Sequence, residues 1–342
     1  MTFSSDNCSG VSPEIMAALI NVNGGSEKPY GADCVTERLT GVFSNVFKCD
    51  LSVFPVSTGT AGNAIGLSAA VSGNGIVYCH KEAHVYRQEA GAVEFLSDGA
   101  RLETLSGENG KIDPSHLSTV LDAAPRSVHF MRPAVLSLTQ TTEMGTVYSL
   151  DEIRTLSGIA KDHGLFVHMD GARLSNALAF KKCGADDMTW RSGVDILSFG
   201  GTKNGTMCAD AVVVFTGSLK DRVEMNWKRS GHQLSKMRFL SNQLETFLHD
   251  DLWLRNAAHA NAMAQSLATQ LQDIPNIEIC FAVDSNIAFV NMLETVFDKV
   301  SEQGSTSYHQ KSSGYARARY LTSFATTQNE VDEFVREFKG LT

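Results

Sequence analysis

The stretch VDILSFGGTKNG, from Val194 to Gly205, decides how the rest of the chain is interpreted. Its first five residues are typical of a short buried strand, and two glycines then permit a tight turn. The turn carries Lys203, whose amine can lose its proton and act as a nucleophile if it is partly desolvated. The hydroxyl group of Thr202 and the turn amides can bind an anion. A solvated loop lysine is the alternative, so other parts of the chain must decide between the two.

The bulk composition limits the classes of function. The chain has 342 residues, of which 43% are hydrophobic, and its formal net charge is −9. This length is typical of two domains, or of one large domain with a smaller appendage. Proteins bind phosphate backbones through clustered lysine and arginine side chains, so the acidic balance argues against nucleic acid as the main partner.

Targeting signals and cysteines favour a cytoplasmic protein. No apolar run reaches the length of a membrane-spanning helix, and the start, MTFSSDNCSG, lacks a charged region followed by an apolar one. We therefore expect no membrane contact. The seven cysteines are scattered without paired spacing, which predicts reduced thiols and neither a disulfide framework nor a metal site.

Strands and helical segments alternate along the first two-thirds of the chain. One helix begins with a capping box at Ser149 and Glu152, and it ends at Gly164. The alternation predicts an α/β fold with a mostly parallel central sheet, in which ligands collect at the carboxyl ends of the strands. The predicted strands are 53–56, 76–79, 135–138, 165–169, 194–198 and 211–215.

The last third of the chain has a different pattern. A mostly helical stretch is followed by two strand-like runs and a final amphipathic helix. Alternation in the second of these runs places Arg317 and Arg319 on one face. We predict a large domain over 1–250 and a small C-terminal α+β domain over 251–342. The predicted strands of the small domain are 286–292 and 316–324, and its final helix is 328–339.

Three strand ends together offer the groups that pyridoxal phosphate requires. Lys203 can form a Schiff base, and Asp170 can pair with the protonated pyridine nitrogen and keep the ring an electron sink. Gly59 and Thr60 lie at the start of an apolar helix, where amides and the helix dipole favour a phosphate, and Thr202 adds a hydroxyl group. Taken singly, the aspartate could be a turn residue and the glycine turn a plain helix start. The combination favours the cofactor.

The motifs STGTAGNAI, HMDGARLSNA and SFGGTKNG resemble those of the low-specificity L-threonine aldolases, which belong to the fold-type-I pyridoxal-phosphate enzymes. The resemblance runs from SSDN to RYLTSFATT, and SLTQTTEMGTVYSLDEI and KMRFLSNQLE resemble the bacterial branch with threonine and phenylserine aldolases. It implies a smaller C-terminal domain beside the cofactor domain. It also implies cleavage of L-threonine, L-allo-threonine or related β-hydroxy-α-amino acids, phenylserine among them, to glycine and an aldehyde.

The resemblance implies a role for each matching residue around the cofactor. Lys203 would carry pyridoxal phosphate, Asp170 would meet its pyridine nitrogen, and His84 would stack on its ring. His129 occupies the position of the family's second active-site histidine. Either histidine is a candidate to accept the proton of the substrate's β-hydroxyl group. Gly59, Thr60 and Thr202 would face the phosphate.

The resemblance also implies how substrate and subunits are arranged. Ser5, Arg173 and Arg319 would bind the substrate carboxylate, with Arg173 also near the phenolic oxygen of the cofactor. Arg317 stays open as an alternative to Arg319. Tyr30, a proposed substrate-binding residue, and Lys228 would reach into a neighbouring subunit, which implies a homo-oligomer, either a tetramer or a dimer.

Two other functions stay open. β-Elimination or transamination can occur on the same scaffold, because a fold does not fix its reaction. A protein that binds the cofactor without catalysis is the second alternative, and the presence of Lys203, Asp170 and Arg173 together argues against it. The segments CADAVVVF and EQGSTSYHQKSSGYARA depart from the family pattern, which leaves the pocket for the substrate side chain open.

Overall fold

A seven-stranded sheet forms the centre of the fold in the computed structural model, which describes residues 3–302, 309–312 and 314–341. The strand order is β1-β7-β6-β5-β4-β2-β3, and all neighbours are parallel except the two pairs that involve β7. The prediction of an α/β fold with a mostly parallel sheet is confirmed. The strands are β1 (Ser52–Val56), β2 (Gly75–His80), β3 (Arg101–Leu105), β4 (Arg132–Thr139), β5 (Phe166–Gly171), β6 (Ile196–Phe199) and β7 (Asp210–Val214).

The edge strand β3 is absent from the sequence prediction. Only Leu102 and Leu105 are buried in it, and its other residues are charged or polar and at least partly exposed. An edge strand has a single hydrogen-bonded neighbour and needs few apolar residues, so its pattern is weaker than that of the central strands.

Helices cover both faces of this sheet. The capping box of α7 is confirmed, since the Ser149 hydroxyl accepts the Glu152 N–H group at 3.2 Å and the Glu152 carboxylate accepts the Ser149 N–H group at 2.6 Å. Helix α1 begins after Ser12, whose hydroxyl accepts from the side chain of Asn256 instead of capping the helix. The helices up to this point are α1 (Pro13–Val22), α2 (Cys34–Phe47), α3 (Gly59–Ala70), α4 (His84–Arg87), α5 (Ala92–Leu96), α6 (Pro114–Asp122), α7 (Leu150–Asp162), α8 (Leu174–Lys181), α9 (Ala185–Met188), α10 (Lys220–Arg229), α11 (Arg238–Leu248) and α12 (Leu252–Gln272).

A second, antiparallel sheet follows α12, with the strand order β10-β11-β9-β8. It packs with the later helices around its own apolar core, in which Tyr320, Phe334 and Phe338 are buried. The final helix has the predicted bounds, whereas the predicted strand 316–324 ends at Leu321. The domain boundary at residue 250 stays a prediction. The remaining elements are β8 (Glu278–Ile279), β9 (Ile287–Leu293), α13 (Glu294–Glu302), β10 (His309–Ser312), β11 (Tyr315–Leu321) and α14 (Gln328–Lys339).

No helix in the described part of the chain is both long enough and apolar enough to cross a bilayer.

Candidate active site

A cavity of about 310 Å³ lies at the carboxyl ends of the parallel strands. It brings together six of the residues that the sequence predicts to form the site, from four separate segments of the chain. A cavity of this size is large enough for a small-molecule ligand. The six predicted residues are Gly59, Thr60, His84, Asp170, Thr202 and Lys203.

The turn that presents Lys203 is tightly packed. A Cβ atom on Gly200 would lie 2.5 Å from the carbonyl oxygen of Ala172, and one on Gly201 would lie 2.5 Å from that of Ala209. Both glycines are therefore required by close backbone approach. The amine of Lys203 has neither a hydrogen bond nor an ion pair among the described residues, and it lines the cavity. This lysine is held on a rigid element with its nitrogen available for chemistry.

The start of α3 can hold a phosphate group. The hydroxyl of Thr58 accepts the Ala61 N–H group at 3.1 Å, but the N–H groups of Gly59 and Thr60 donate to no acceptor in the described part of the chain. The buried hydroxyl oxygen of Thr202 also lacks a hydrogen bond of good geometry there, although it lies close enough to Asp210 to lower the pKa of that carboxyl group. Unpaired donors at a helix start favour an anion, so these residues fit the phosphate of the cofactor.

Asp170 belongs to a buried hydrogen-bond network. Its Oδ1 atom accepts the Ala172 N–H group at 3.0 Å, and its Oδ2 atom accepts the Asn63 amide at 3.0 Å. The same Asn63 Nδ2 atom donates to Glu89 Oε1 at 2.8 Å, and His84 Nδ1 lies 2.8 Å from that oxygen. The network fixes the orientation of both Asp170, which the resemblance assigns to the pyridine nitrogen, and His84, which it assigns to the face of the cofactor ring.

The hydrogen bond to Glu89 raises the pKa of His84 above its ordinary value, and the charges of Asp170 and Glu143 act in the same direction. Burial and Lys203 act against this rise. Burial also raises the pKa of the Glu89 carboxyl group, against the effect of its hydrogen bond with His84. Both shifts favour the protonated forms of the pair.

Arg173 already has a carboxylate partner within the chain. Its Nε atom donates to Asp6 Oδ2 at 2.6 Å and its Nη2 atom to Asp6 Oδ1 at 3.0 Å, with both side chains buried. Burial alone would raise the pKa of Asp6, but the charge of Arg173 and its hydrogen bonds lower it below the usual value. Two of the five guanidinium N–H groups bond to Asp6, and the other three donate to no acceptor within the described residues.

Arg317 and Arg319 lie on the same face of β11 but differ in their surroundings. The Nε atom of Arg317 donates to Asn291 at 3.1 Å, and its guanidinium lies 5.4 Å from the ring centre of Phe281. Arg319 lies two residues closer to the end of β11, opposite Phe289 of β9 in the backbone register. Ser5 lies near that end, because the carbonyl oxygen of Phe3 accepts the N–H group at the last position of β11.

The predicted carboxylate ligands Ser5, Arg173 and Arg319 do not line this cavity, and Ser5 lines a separate one beside Leu321 and Ser323. The predicted residues His129, Tyr30 and Lys228 also lie outside the cavity within one chain. His129 is exposed and precedes the first residue of β4. It therefore lies at the amino ends of the parallel strands, whereas the cavity lies at their carboxyl ends. Tyr30 is about half exposed, and the ammonium group of Lys228 lies 4.9 Å from the centre of its ring. A part for His129, Tyr30 or Lys228 in the chemistry would require a second copy of the chain.

The structure adds residues that sequence reasoning did not place in the site. Asn63 and Glu89 join Asp170 to His84, and Asp6 holds Arg173. The position of Asn63, one helical turn after Gly59, was an available signal, because both residues lie on one face of α3. The cavity is also lined by Asn7, Glu143 and Asp210.

Comparison of the sequence with known proteins identifies similar enzymes. The sequence model of the beta-eliminating lyase family matches residues 2–295. The chain is 39% identical to a low specificity L-threonine aldolase of Pseudomonas sp. over 339 residues, which cover 99% of this chain and 97% of that protein. It is 38% identical to a low specificity L-threonine aldolase of Pseudomonas aeruginosa, with coverage of 98% and 96%.

Solved structures share the fold of this chain. The structure of the Leishmania major threonine aldolase is similar with a TM-score of 0.92 and 27% identity, and the match covers 99% of both chains. A serine palmitoyltransferase of Sphingomonas wittichii shares the fold at 12% identity, with a TM-score of 0.73 over 99% of this chain and 86% of that one.

Proposed function

The chain belongs to the beta-eliminating lyase family, and on that premise we propose that it is a pyridoxal-phosphate-dependent aldolase. Its substrates would be L-threonine, L-allo-threonine or related β-hydroxy-α-amino acids, which it would cleave to glycine and an aldehyde. The observation that carries the proposal is the amine of Lys203 in one cavity with Asp170 and with the amides of Gly59 and Thr60, none of which donates to an acceptor in the described part of the chain. The names of the similar Pseudomonas and Leishmania proteins support the choice of reaction.

The residues of the cavity fit the parts of the cofactor. Lys203 would bind its aldehyde as a Schiff base, and Asp170 would hold the proton on its pyridine nitrogen. His84 would lie against the ring in the orientation that Glu89 fixes. When bound, pyridoxal phosphate supplies an electron sink for the bond that breaks at the substrate's Cα atom.

Substrate binding would depend on the arginines. Arg173 has three N–H groups left beside its pair with Asp6, and together with Arg319 and Ser5 it would bind the substrate carboxylate. This contact fixes which bond of Cα stands perpendicular to the cofactor ring. Retro-aldol cleavage requires that bond to be Cα–Cβ.

The proton of the β-hydroxyl group needs an acceptor. His84 lines the cavity and is the candidate within one chain, directly or through a water molecule, when its ring is neutral.

His129 would contribute only from a neighbouring subunit, as Tyr30 and Lys228 would. We therefore propose a homo-oligomer, a dimer or a tetramer, that acts in the cytoplasm.

A product assay tests the reaction. The purified protein is incubated with L-threonine, L-allo-threonine and phenylserine, and glycine is measured against ammonia and 2-oxo acid. We expect glycine and the matching aldehyde. Ammonia and oxo acid as main products would instead indicate β-elimination, which the same scaffold can support.

Reductive labelling tests the role of Lys203. Borohydride should fix the cofactor to Lys203, and the Lys203→Ala variant should lose both the adduct and the activity. Lys228→Ala serves as the control, because that lysine packs on Tyr30 away from the cavity and should leave the adduct intact. A labelled peptide containing any other lysine would contradict the proposal.

A further inference from the structure

Asp210 lies where the two halves of the candidate phosphate site meet. It is the first residue of β7 and is paired with Val56, the last residue of β1, which leads into the start of α3. Its side chain is buried and lines the cavity that contains Lys203. A carboxyl group in this place is unexpected beside a phosphate, since two anions repel each other.

One oxygen of Asp210 fixes the turn that carries the lysine. The Oδ1 atom accepts the N–H group of Gly201 at 2.7 Å and that of Thr202 at 3.0 Å. These two amides therefore do not remain available for an anion. The carboxyl group instead holds the backbone immediately before Lys203, and the carbonyl oxygen of a carboxylic acid or an amide can still accept both bonds, although more weakly than a carboxylate.

The other oxygen faces the start of α3. A Cβ atom on Gly59 would lie 4.0 Å from Asp210 Oδ2, and the free N–H groups of Gly59 and Thr60 open on the same cavity. Burial raises the pKa of Asp210, against the lowering effects of the turn amides and Lys203. Burial lowers the pKa of His232, which lies beside Ser57, so that ring adds no cation near neutral pH.

We propose that Asp210 is a positioning residue that holds the lysine turn through Oδ1 and takes up one proton at Oδ2 when a phosphate monoester binds at the start of α3. The inference rests on the proposed function and adds to it a coupling between cofactor binding and protonation. The proton comes from solvent and removes the repulsion between carboxylate and phosphate. A phosphate monoester is a dianion above pH 7, because its second pKa is about 6, so the proton is not required by the ligand itself.

Proton counting on the cofactor-free protein tests this proposal. Pyridoxamine phosphate cannot form a Schiff base with Lys203, and pyridoxamine lacks the phosphate. Calorimetric titrations in buffers of different ionisation enthalpy, between pH 7 and 8.5, give the number of protons bound with each ligand. We expect about one more proton with pyridoxamine phosphate than with pyridoxamine, and a loss of affinity approaching tenfold per pH unit for the phosphorylated ligand.

The Asp210→Asn variant keeps an acceptor for both turn amides but cannot be ionised. It should bind pyridoxamine phosphate about tenfold more tightly than the parent at pH 8.5, with no extra proton and little pH dependence. Asp195→Asn is the matched control, because Asp195 is a buried carboxylate that accepts the Val167 N–H group at 2.7 Å from the opposite edge of the sheet. That variant should behave as the parent does.

Equal proton numbers for the two ligands in the parent protein would overturn the inference, whether or not the variant folds. Equal affinity and equal pH dependence in the parent and Asp210→Asn would overturn it as well. The proposed function fails separately, if borohydride does not fix pyridoxal phosphate to Lys203. A protein that binds no phosphorylated ligand would contradict both proposals.

Discussion

The hydrogen bond between His84 and Glu89 sets the charge of the ring that faces the cofactor site. The Glu89→Gln variant replaces the carboxyl group whose hydrogen bond is the main cause of the raised pKa of His84, so this pKa should fall. The neutral ring, which can accept a proton, would then appear at lower pH. In a profile of kcat/KM against pH, the acidic limb should move to lower pH.

An NMR titration of the His84 ring gives the same pKa without dependence on turnover. The His163 ring, whose pKa is raised by a backbone hydrogen bond to Ile159 and by Asp122, is an internal reference that the Glu89→Gln change should not affect. An unchanged acidic limb would mean that the limb reports another group.

The two arginines of β11 should contribute differently to substrate binding. Arg319→Lys should raise KM at least tenfold, because a lysine keeps the charge but loses the two-point grip on a carboxylate. Arg317→Lys is the matched variant on the same face, and its arginine already bonds to Asn291 and packs on Phe281. Steady-state kinetics with L-threonine would show a small effect for Arg317. The reverse order would assign the carboxylate to Arg317.

At the level of single elements, the glycine turn before Lys203 has no room for a side chain at Gly200 or Gly201. Gly201→Ala would press a Cβ atom to within 2.5 Å of the Ala209 carbonyl oxygen, and we expect a loss of about 1–3 kcal/mol in the free energy of unfolding. Gly158→Ala, in the exposed interior of α7 with open space around it, should instead add about 0.4–1 kcal/mol.

Urea denaturation of both glycine variants measures these changes, and absorbance of the bound cofactor shows whether the turn still positions Lys203. Bound cofactor at the parental level in Gly201→Ala would mean that the turn can shift without loss of the site. A destabilised Gly158→Ala would contradict the helix-interior assignment.

The elements that the sequence predicted well are those whose signals are local. Helices α7 and α14 have capping boxes and apolar stripes, and both were located within one or two residues. The expectation that ligands collect at the carboxyl ends of parallel strands also predicts Lys203 and Asp170 in one site, and both line one cavity. Edge strand β3 lacks an apolar run, β8 has only two residues, and the sequence of β10, HQKS, is entirely polar.

The contacts that escaped prediction join residues far apart in the sequence. Nothing local indicates that Asp6 pairs with Arg173 or that Asn63 bridges two carboxylates, because such pairs depend on tertiary packing. His129 received its role from family resemblance alone, while its place before β4 puts it at the other edge of the sheet. Its role in catalysis stays a prediction that concerns the assembled oligomer.

For the molecule as a whole, Asp6 connects three parts of the chain. It belongs to the N-terminal segment, it pairs with Arg173 after β5, and it accepts the amide of Asn286 at 3.0 Å just before β9. The backbone of Phe3 also bonds to the end of β11. The N-terminal segment is thus held against both sheets, and one buried carboxylate carries much of this attachment.

Asp6→Asn should therefore destabilise the protein by about 3–5 kcal/mol at pH 7, because it leaves the buried charge of Arg173 without its partner. The folded-state pKa of Asp6 lies below its ordinary value of 3.8, so its contribution is complete above pH 3.8 and is lost as the pH falls through the lower value. The difference between parent and variant should accordingly shrink in acid. Asp151→Asn is the control, since its exposed pair with Arg154 at 3.1 Å is worth less than about 1 kcal/mol. Urea denaturation at pH 7 and below pH 3.8 measures the two free energies of unfolding, and hydrogen exchange of residues 3–8 reports on the N-terminal segment. Equal losses of stability in Asp6→Asn and Asp151→Asn would refute the role of Asp6.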